Sequence, residues 1–195
     1  MLIWLSALHC EAKPIVDFYR MKKPAARKGF DLYLGDGNAC IVSGIGRVAA
    51  ARATDWAASL FPEKQTGWIN LGIAGTSNAE IGSAFWVEQI ICQPSGRQYF
   101  PRALFDTGFD TARCQTLDGE SQEYIDDLLF DMEASAFFDS ASNFSGNESI
   151  HCIKIVSDNR ERNLGRDKRA ISDMIHRHIE AIDRFARNLQ AQIQS

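Results

Sequence analysis

The chain has 195 residues, 45% apolar and 24% charged, which allows a sizeable core and matches an ordinary soluble globular protein. A formal net charge of −4 and a pI near 5.6, with no basic stripe interleaved with aromatics, exclude a general nucleic-acid binder. Five scattered cysteines without a Cys-x-x-Cys pair read as reduced, mostly buried thiols of a cytoplasmic protein, not as a disulfide framework or a zinc site.

The opening "MLIWLSAL" has no basic leader, and its apolar run breaks at His9, Cys10 and Glu11. That is too short for a signal peptide or a membrane span and predicts a buried strand over 2–8. "EAKPIVDFYRM" (11–21) reads as a short helix or turn region broken by Pro14. "FDLYLGDGNACIVSG" reads as a hairpin around a Gly-Asp-Gly-Asn turn. "GRVAAARATDWAASLF" (46–61) is helical, with Ala49, Ala50, Ala53 and Ala57 forming a small-residue face. "GWINLGIAG" (67–75) and "AFWVEQIIC" (84–92) are buried strands. Residues 93–127 show no clear period. "DLLFDM" (127–132) is a strand, "EASAFFDSASNF" a helix and "SIHCIKIVSDN" (149–159) a strong buried strand. From Asp167 to Ile193 a three- and four-residue apolar recurrence predicts one long amphipathic helix. Alternating strands and helices, with no linker or repeat, imply one α/β domain spanning 1–195, its central sheet covered on both faces.

Several segments are candidates for chemistry. "GIGRVA" (44–49) fits Gly-x-Gly-x-x-Ala between strand and helix, but the following strand ends "WINLGIAG" without the acid that a dinucleotide ribose requires. The glycines still expose backbone N–H groups at a helix start. Glu11, Glu133 and Asp158 each follow a strand, and ligands of open α/β sheets bind outside the carboxyl ends of strands. Each acid alone is as well explained as a cap of the next turn; three together point to a shared crevice. His176 and His178, two apart on a helix, face different directions and do not share a metal. His9 adjoins Glu11 and borders a possible pocket, whereas His151 reads as a satisfied core residue. "RERNLGRDKR" (160–169) reads as a solvated loop.

"LSALHCEAKPI", "SGIGRVAAARAT", "WINLGIAG", "DMEASAFF" and "IVSDN" occur in an order that resembles the nucleoside phosphorylase/nucleosidase superfamily, closest to the methylthioadenosine/S-adenosylhomocysteine nucleosidases. The resemblance implies a three-layer αβα sandwich with a mixed central sheet, a small-molecule purine nucleoside as substrate, a homodimer, and no cofactor, metal or membrane. It implies that Glu11 activates the attacking water and that Asp158 protonates the leaving purine. Met132 and Glu133 would line the ribose, while Ala74, Gly75, Ile45 and Asn159 would border sugar and base. On this reading Asp131 points the other way and is structural.

Phosphorylase branches of that superfamily carry an arginine on the "GIAG" strand and a Gly-Asp-Pro-x-Arg turn after the first strand. Here those places hold Asn70 and "ALHCEAK", and Arg47 reads as a solvated helix residue, so water is favoured over phosphate as nucleophile. A phosphorylase and a nucleoside-binding protein without turnover stay as alternatives. The segment between Val87 and Asp131 is short, which leaves base and 5′ preference open. Tyr99, Phe100, Phe105 and Phe109 either stack on a base or pack an interface.

Overall fold

Residues 1–25, 29–62, 65–119 and 127–194 are described by a computed structural model. β1 (Leu2–Ser6) leads into α1 (His9–Phe18), then the hairpin of β2 (Asp31–Gly35) and β3 (Asn38–Val42). α2 (Arg47–Leu60) follows, then β4 (Gly67–Thr76), β5 (Ala84–Cys92), the two-residue β6 (Gln98–Tyr99) and β7 (Asp110–Thr116). β8 (Leu129–Asp131), α3 (Ala134–Ala141), β9 (Ile150–Asp158), α4 (Lys168–Arg177) and α5 (Ile179–Gln194) complete the chain.

β1 lies between β3 and β4, parallel to both, and β4 pairs in parallel with β9. Every residue of β1 and β3 is buried, as expected of strands covered on both faces, whose sequences are near-continuous apolar runs. One face packs on α2 and α3, where Ala50, Ala53 and Ala57 let the helix approach Phe137, Phe138 and the sheet. The other face carries α1, α4 and α5, with Ile171, Ile175, Ile182, Phe185 and Leu189 fully buried against Leu2, Trp4 and Ile69. Each such side chain contributes about 1.5–3 kcal/mol. This is the expected αβα sandwich with a mixed sheet.

The sheet also closes on itself. β4 pairs antiparallel with β8, β8 parallel with β7, β7 parallel with β5, and β5 antiparallel with β9, which returns to β4. β6 and β7 lie in the segment without a sequence period. β7, "DTARCQT", buries Cys114 and Thr116 against its neighbours, and apart from Ala112 its other positions are polar and exposed or partly exposed, so the apolar signal of a buried strand is absent.

Two helix expectations change. Pro14 does not break α1: it sits at the sixth helical position, where it forfeits one N–H bond to the Cys10 carbonyl, and its ring is buried. The tail is two helices, because His178 (φ −99°, ψ 6°) leaves helical geometry and its Nε2 donates to the Gly82 carbonyl at 2.7 Å. The apolar stripe runs through this break, so periodicity alone does not reveal it.

Candidate active site

Glu11, Ile45, Ala74, Gly75, Met132, Glu133 and Asp158 line one cavity at the ends of β1, β3, β4, β8 and β9. Glu11 sits in the first turn of α1, 3% exposed. Its Oε2 accepts the Leu8 N–H at 2.8 Å, the glutamate half of a capping box, and its Oε1 accepts the Ile73 N–H at 2.9 Å. A Cβ at Gly72 would stand 2.9 Å from Oε1, so the absent side chain is what lets the carboxylate lie on β4. Burial pushes the Glu11 pKa up, against the pull of the two N–H bonds and of Lys154.

Glu133 is the residue at which β8 turns into α3. Its Oε1 accepts the Gly46 N–H at 2.7 Å, the start of α2. Gly44 and Gly46 both have left-handed φ, 82° and 100°, and this turn aims the N–H at the carboxylate. Burial and the nearby Asp131 charge push the Glu133 pKa up to about 7. Asp158, the last residue of β9, is half-buried and accepts the Ser157 hydroxyl at 2.5 Å.

Beneath these acids lies a buried ion pair. Lys154 Nζ stands 2.7 Å from Asp131 Oδ2, and both side chains are sealed from solvent. Asp131 also accepts the Thr116 hydroxyl at 2.7 Å and the Ala134 N–H at 2.8 Å. Burial alone would raise the Asp131 pKa, but Lys154 and these donors hold it below the ordinary carboxylate value. Burial likewise opposes the charged lysine, and Asp131 and Glu133 outweigh it, keeping Lys154 protonated. Asp131 is structural as expected, yet it does not point away from the site: it borders the cavity, and its charge reaches Glu133.

The sequence-predicted Asn159 falls outside this group. Its Nδ2 donates to the Ala79 carbonyl and its Oδ1 accepts the Glu161 and Arg162 N–H groups, so it folds the following loop. That loop is no mere solvated connection. Leu164 N–H returns to the Ser157 carbonyl, Asp158 bridges to Asn163, and Asn163, Gly165 and Arg166 wall the cavity. Arg47 is not solvated either: Nε donates to Asp118 at 2.7 Å and Nη1 to Cys92 Sγ at 3.1 Å. Sequence reasoning passed over Lys154, whose only signal was a lone lysine inside the apolar run "HCIKIVS".

His9 pairs with Asp31 on the surface. His151 is the core residue expected: it is fully buried, accepts Trp86 Nε1–H at Nδ1 and donates from Nε2 to the Glu148 carbonyl. Tyr99 packs on Phe138, and Phe105 and Phe109 pack on Phe185; neither they nor Phe100 lines the cavity. Among the described residues no group of three or more metal-ligating side chains gathers, and no helix is long and apolar enough to cross a membrane.

Taken together, the closed mixed sheet and the strand-end acids make an α/β fold with a carboxylate-walled cavity. The chain shares this fold with the 5′-methylthioadenosine nucleosidase of Arabidopsis thaliana, at 16% identity and a TM-score of 0.78, over 96% of this chain and 95% of that one. It shares it also with the 5′-methylthioadenosine/S-adenosylhomocysteine nucleosidase of Neisseria meningitidis, solved with methylthio-immucillin-A (17% identity, TM-score 0.77, 94% and 98% covered). The corresponding enzyme of S. pneumoniae, solved with a transition-state inhibitor, matches at 17% identity and a TM-score of 0.75 over 97% and 100%. No family model matches the chain, and no curated protein matches it in sequence.

Proposed function

We propose that this protein hydrolyses the N-glycosidic bond of a purine nucleoside of the methylthioadenosine/S-adenosylhomocysteine type, with water as nucleophile. The observation that carries the reading is the convergence of Glu11, Glu133 and Asp158 on one cavity. Cleavage of this bond builds positive charge on the sugar and negative charge on the departing base, so the site needs a base, an anion near the sugar and an acid near the purine.

Glu11 is the base. Two backbone N–H bonds fix its carboxylate, and burial raises its proton affinity, which suits a group that must take a proton from water. Glu133 accepts the ribose hydroxyls: one N–H occupies Oε1, and a carboxylate offers about four acceptor positions in all. In that place its charge also stabilises the developing oxocarbenium ion. Met132 is the apolar surface against the sugar. Asp158, at the cavity rim, delivers the proton to the purine.

Water is favoured over phosphate by the cavity's charges. Glu11, Glu133 and Asp158 present carboxylates to it, with that of Asp131 sealed behind them, and the cation in its described wall is Arg166. Asn70, where a phosphorylase would carry arginine, is buried and donates to the Leu5 carbonyl. The protein acts as a cytoplasmic homodimer in methionine salvage. Exposed Ile45 and Val48 beside the cavity support the dimer, and five unpaired cysteines support the compartment.

The test is incubation with methylthioadenosine, S-adenosylhomocysteine, adenosine and inosine, with and without phosphate, following free base and sugar. Free ribose sugar without phosphate is expected. Strict phosphate dependence with a sugar-1-phosphate product would overturn hydrolysis, and binding without turnover would leave a nucleoside-binding protein.

A further inference from the structure

One cysteine stands apart from the other four. Burial pushes the thiols of Cys40 and Cys152 up to about 12 and raises those of Cys10 and Cys114 as well. Cys92 is also buried, but Ser95, Ser135 and Arg47 together outweigh burial and hold its thiol below the ordinary value. The geometry is a small cluster at the end of β5. Arg47 Nη1 lies 3.1 Å from Sγ, while the same guanidinium holds Asp118 through Nε. The Ser135 hydroxyl, 1% exposed, stands beside the sulfur and has no other hydrogen-bond partner. Such a hydroxyl is a donor awaiting an oxygen. Cys92 is 5% exposed, and residues 93–97 immediately after it form an exposed turn at the surface.

We propose that Cys92 is a peroxide-oxidisable cysteine whose oxidation unseats Glu133. The thiolate attacks one oxygen of hydrogen peroxide: an S–O bond forms, the O–O bond breaks, and the departing hydroxide takes the proton released by the thiol to leave as water. The sulfur is oxidised by two electrons and the peroxide is reduced. Arg47 stabilises the thiolate, and Ser135 donates to the new sulfenic oxygen. The link to the cavity is one residue long. Arg47 opens α2 directly after Gly46, whose N–H holds Glu133 Oε1. An added oxygen at Cys92 displaces the guanidinium that pins this turn to β5. The effect on turnover rests on the reading of Glu133 as the sugar's acceptor; the oxidation itself does not.

The experiment treats the whole protein with substoichiometric hydrogen peroxide in the presence of dimedone and locates the adduct by peptide mass spectrometry. Cys92 is expected to carry the label at least about tenfold over any other cysteine. C92S is expected to abolish it, and S135A and R47Q to slow it severalfold. Hydrogen exchange of the peptide holding Gly46 is expected to rise on oxidation and return with dithiothreitol. Label spread evenly over the cysteines, or appearing only after denaturation, overturns the site. Unchanged exchange at Gly46 overturns the link to Glu133. Because neither readout uses catalysis, a protein that labels at Cys92 but cleaves no nucleoside would refute the proposed function and leave this inference standing.

Discussion

Lys154 Nζ on β9 and Asp131 Oδ2 on β8 meet 2.7 Å apart in the interior, from the two strands that flank β4 in the closed ring. Removing one member leaves an uncompensated buried charge, so K154M and D131N are each expected to cost about 3–5 kcal/mol. The double variant D131N/K154M is expected to cost less than the sum. Urea unfolding of the three variants measures both statements. Additive losses would mean that the pair is not coupled.

Glu133 sets a pH window. Its folded pKa of about 7 lies above its ordinary 4.5, so the fold prefers the protonated acid. The stability this contributes is complete below about 4.5 and is lost as pH rises through about 7. E133Q is therefore expected to be more stable than the parent at pH 8, by about 1–3 kcal/mol, and close to it at pH 5. Activity runs the opposite way, because the sugar hydroxyls need the carboxylate. kcat/KM is expected to climb through pH 7 in the parent, and E133Q is expected to lose at least about a hundredfold. A parent profile flat from pH 6 to 8 would remove Glu133 from that role.

E11Q and D158N separate the two proton-transfer steps. Each is expected to lower kcat by about 10²–10⁴ while the fold persists. Full activity in both variants, measured as base release, would refute the assigned mechanism even with the reaction class intact.

Gly72 tests the seat of Glu11 without touching the acid. In G72A the new Cβ falls 2.9 Å from Oε1, so the carboxylate must leave its N–H bonds on β4. A loss of kcat of tenfold or more is expected, with KM changed less. Wild-type kcat in G72A would show that Glu11 acts from another position.

His151 gives the protein an acid limit away from the cavity. Burial among Trp86, Phe105 and Phe185 lowers its pKa from 6.5 to about 4, so the folded state holds it neutral. Unfolding charges it, and stability is lost as pH falls from about 6.5 towards 4, by roughly 3 kcal/mol from this residue. H151Q keeps a donor and an acceptor, and its stability is expected to vary less over that range in thermal melts at stepped pH.

Sequence and structure diverge where information is not local. The hairpin at Gly35–Asn38, the apolar strands and the strand-end acids were legible because burial on both faces writes an apolar run and a ligand site follows a strand end. β7 was not, because its residues alternate between neighbours in a ring whose closure no local pattern encodes. Asn159 entered with the "IVSDN" motif of the resemblance, yet a side chain one residue beyond Asp158 turns to the loop it builds. Arg166 reaches the cavity only because Leu164 and Asn163 fold back on β9. Lys154 was concealed by its own strand: its need for a carboxylate, and Asp131's need for a cation, are each visible in sequence, but their pairing is not.

The ring of β4, β8, β7, β5 and β9 also governs how the molecule behaves among copies of itself. Among the described residues each strand of the ring has a neighbour on both sides, so the strands left with a single neighbour are the ends of the open path, β2 and β6. β6 is two residues long. β2 is flanked by Lys22, bridged to Leu34, and by Lys23, paired with Asp31. A short margin and a lysine-guarded one are poor templates for a growing fibril, so the closure that gathers the acids around one cavity also guards the protein in concentrated solution.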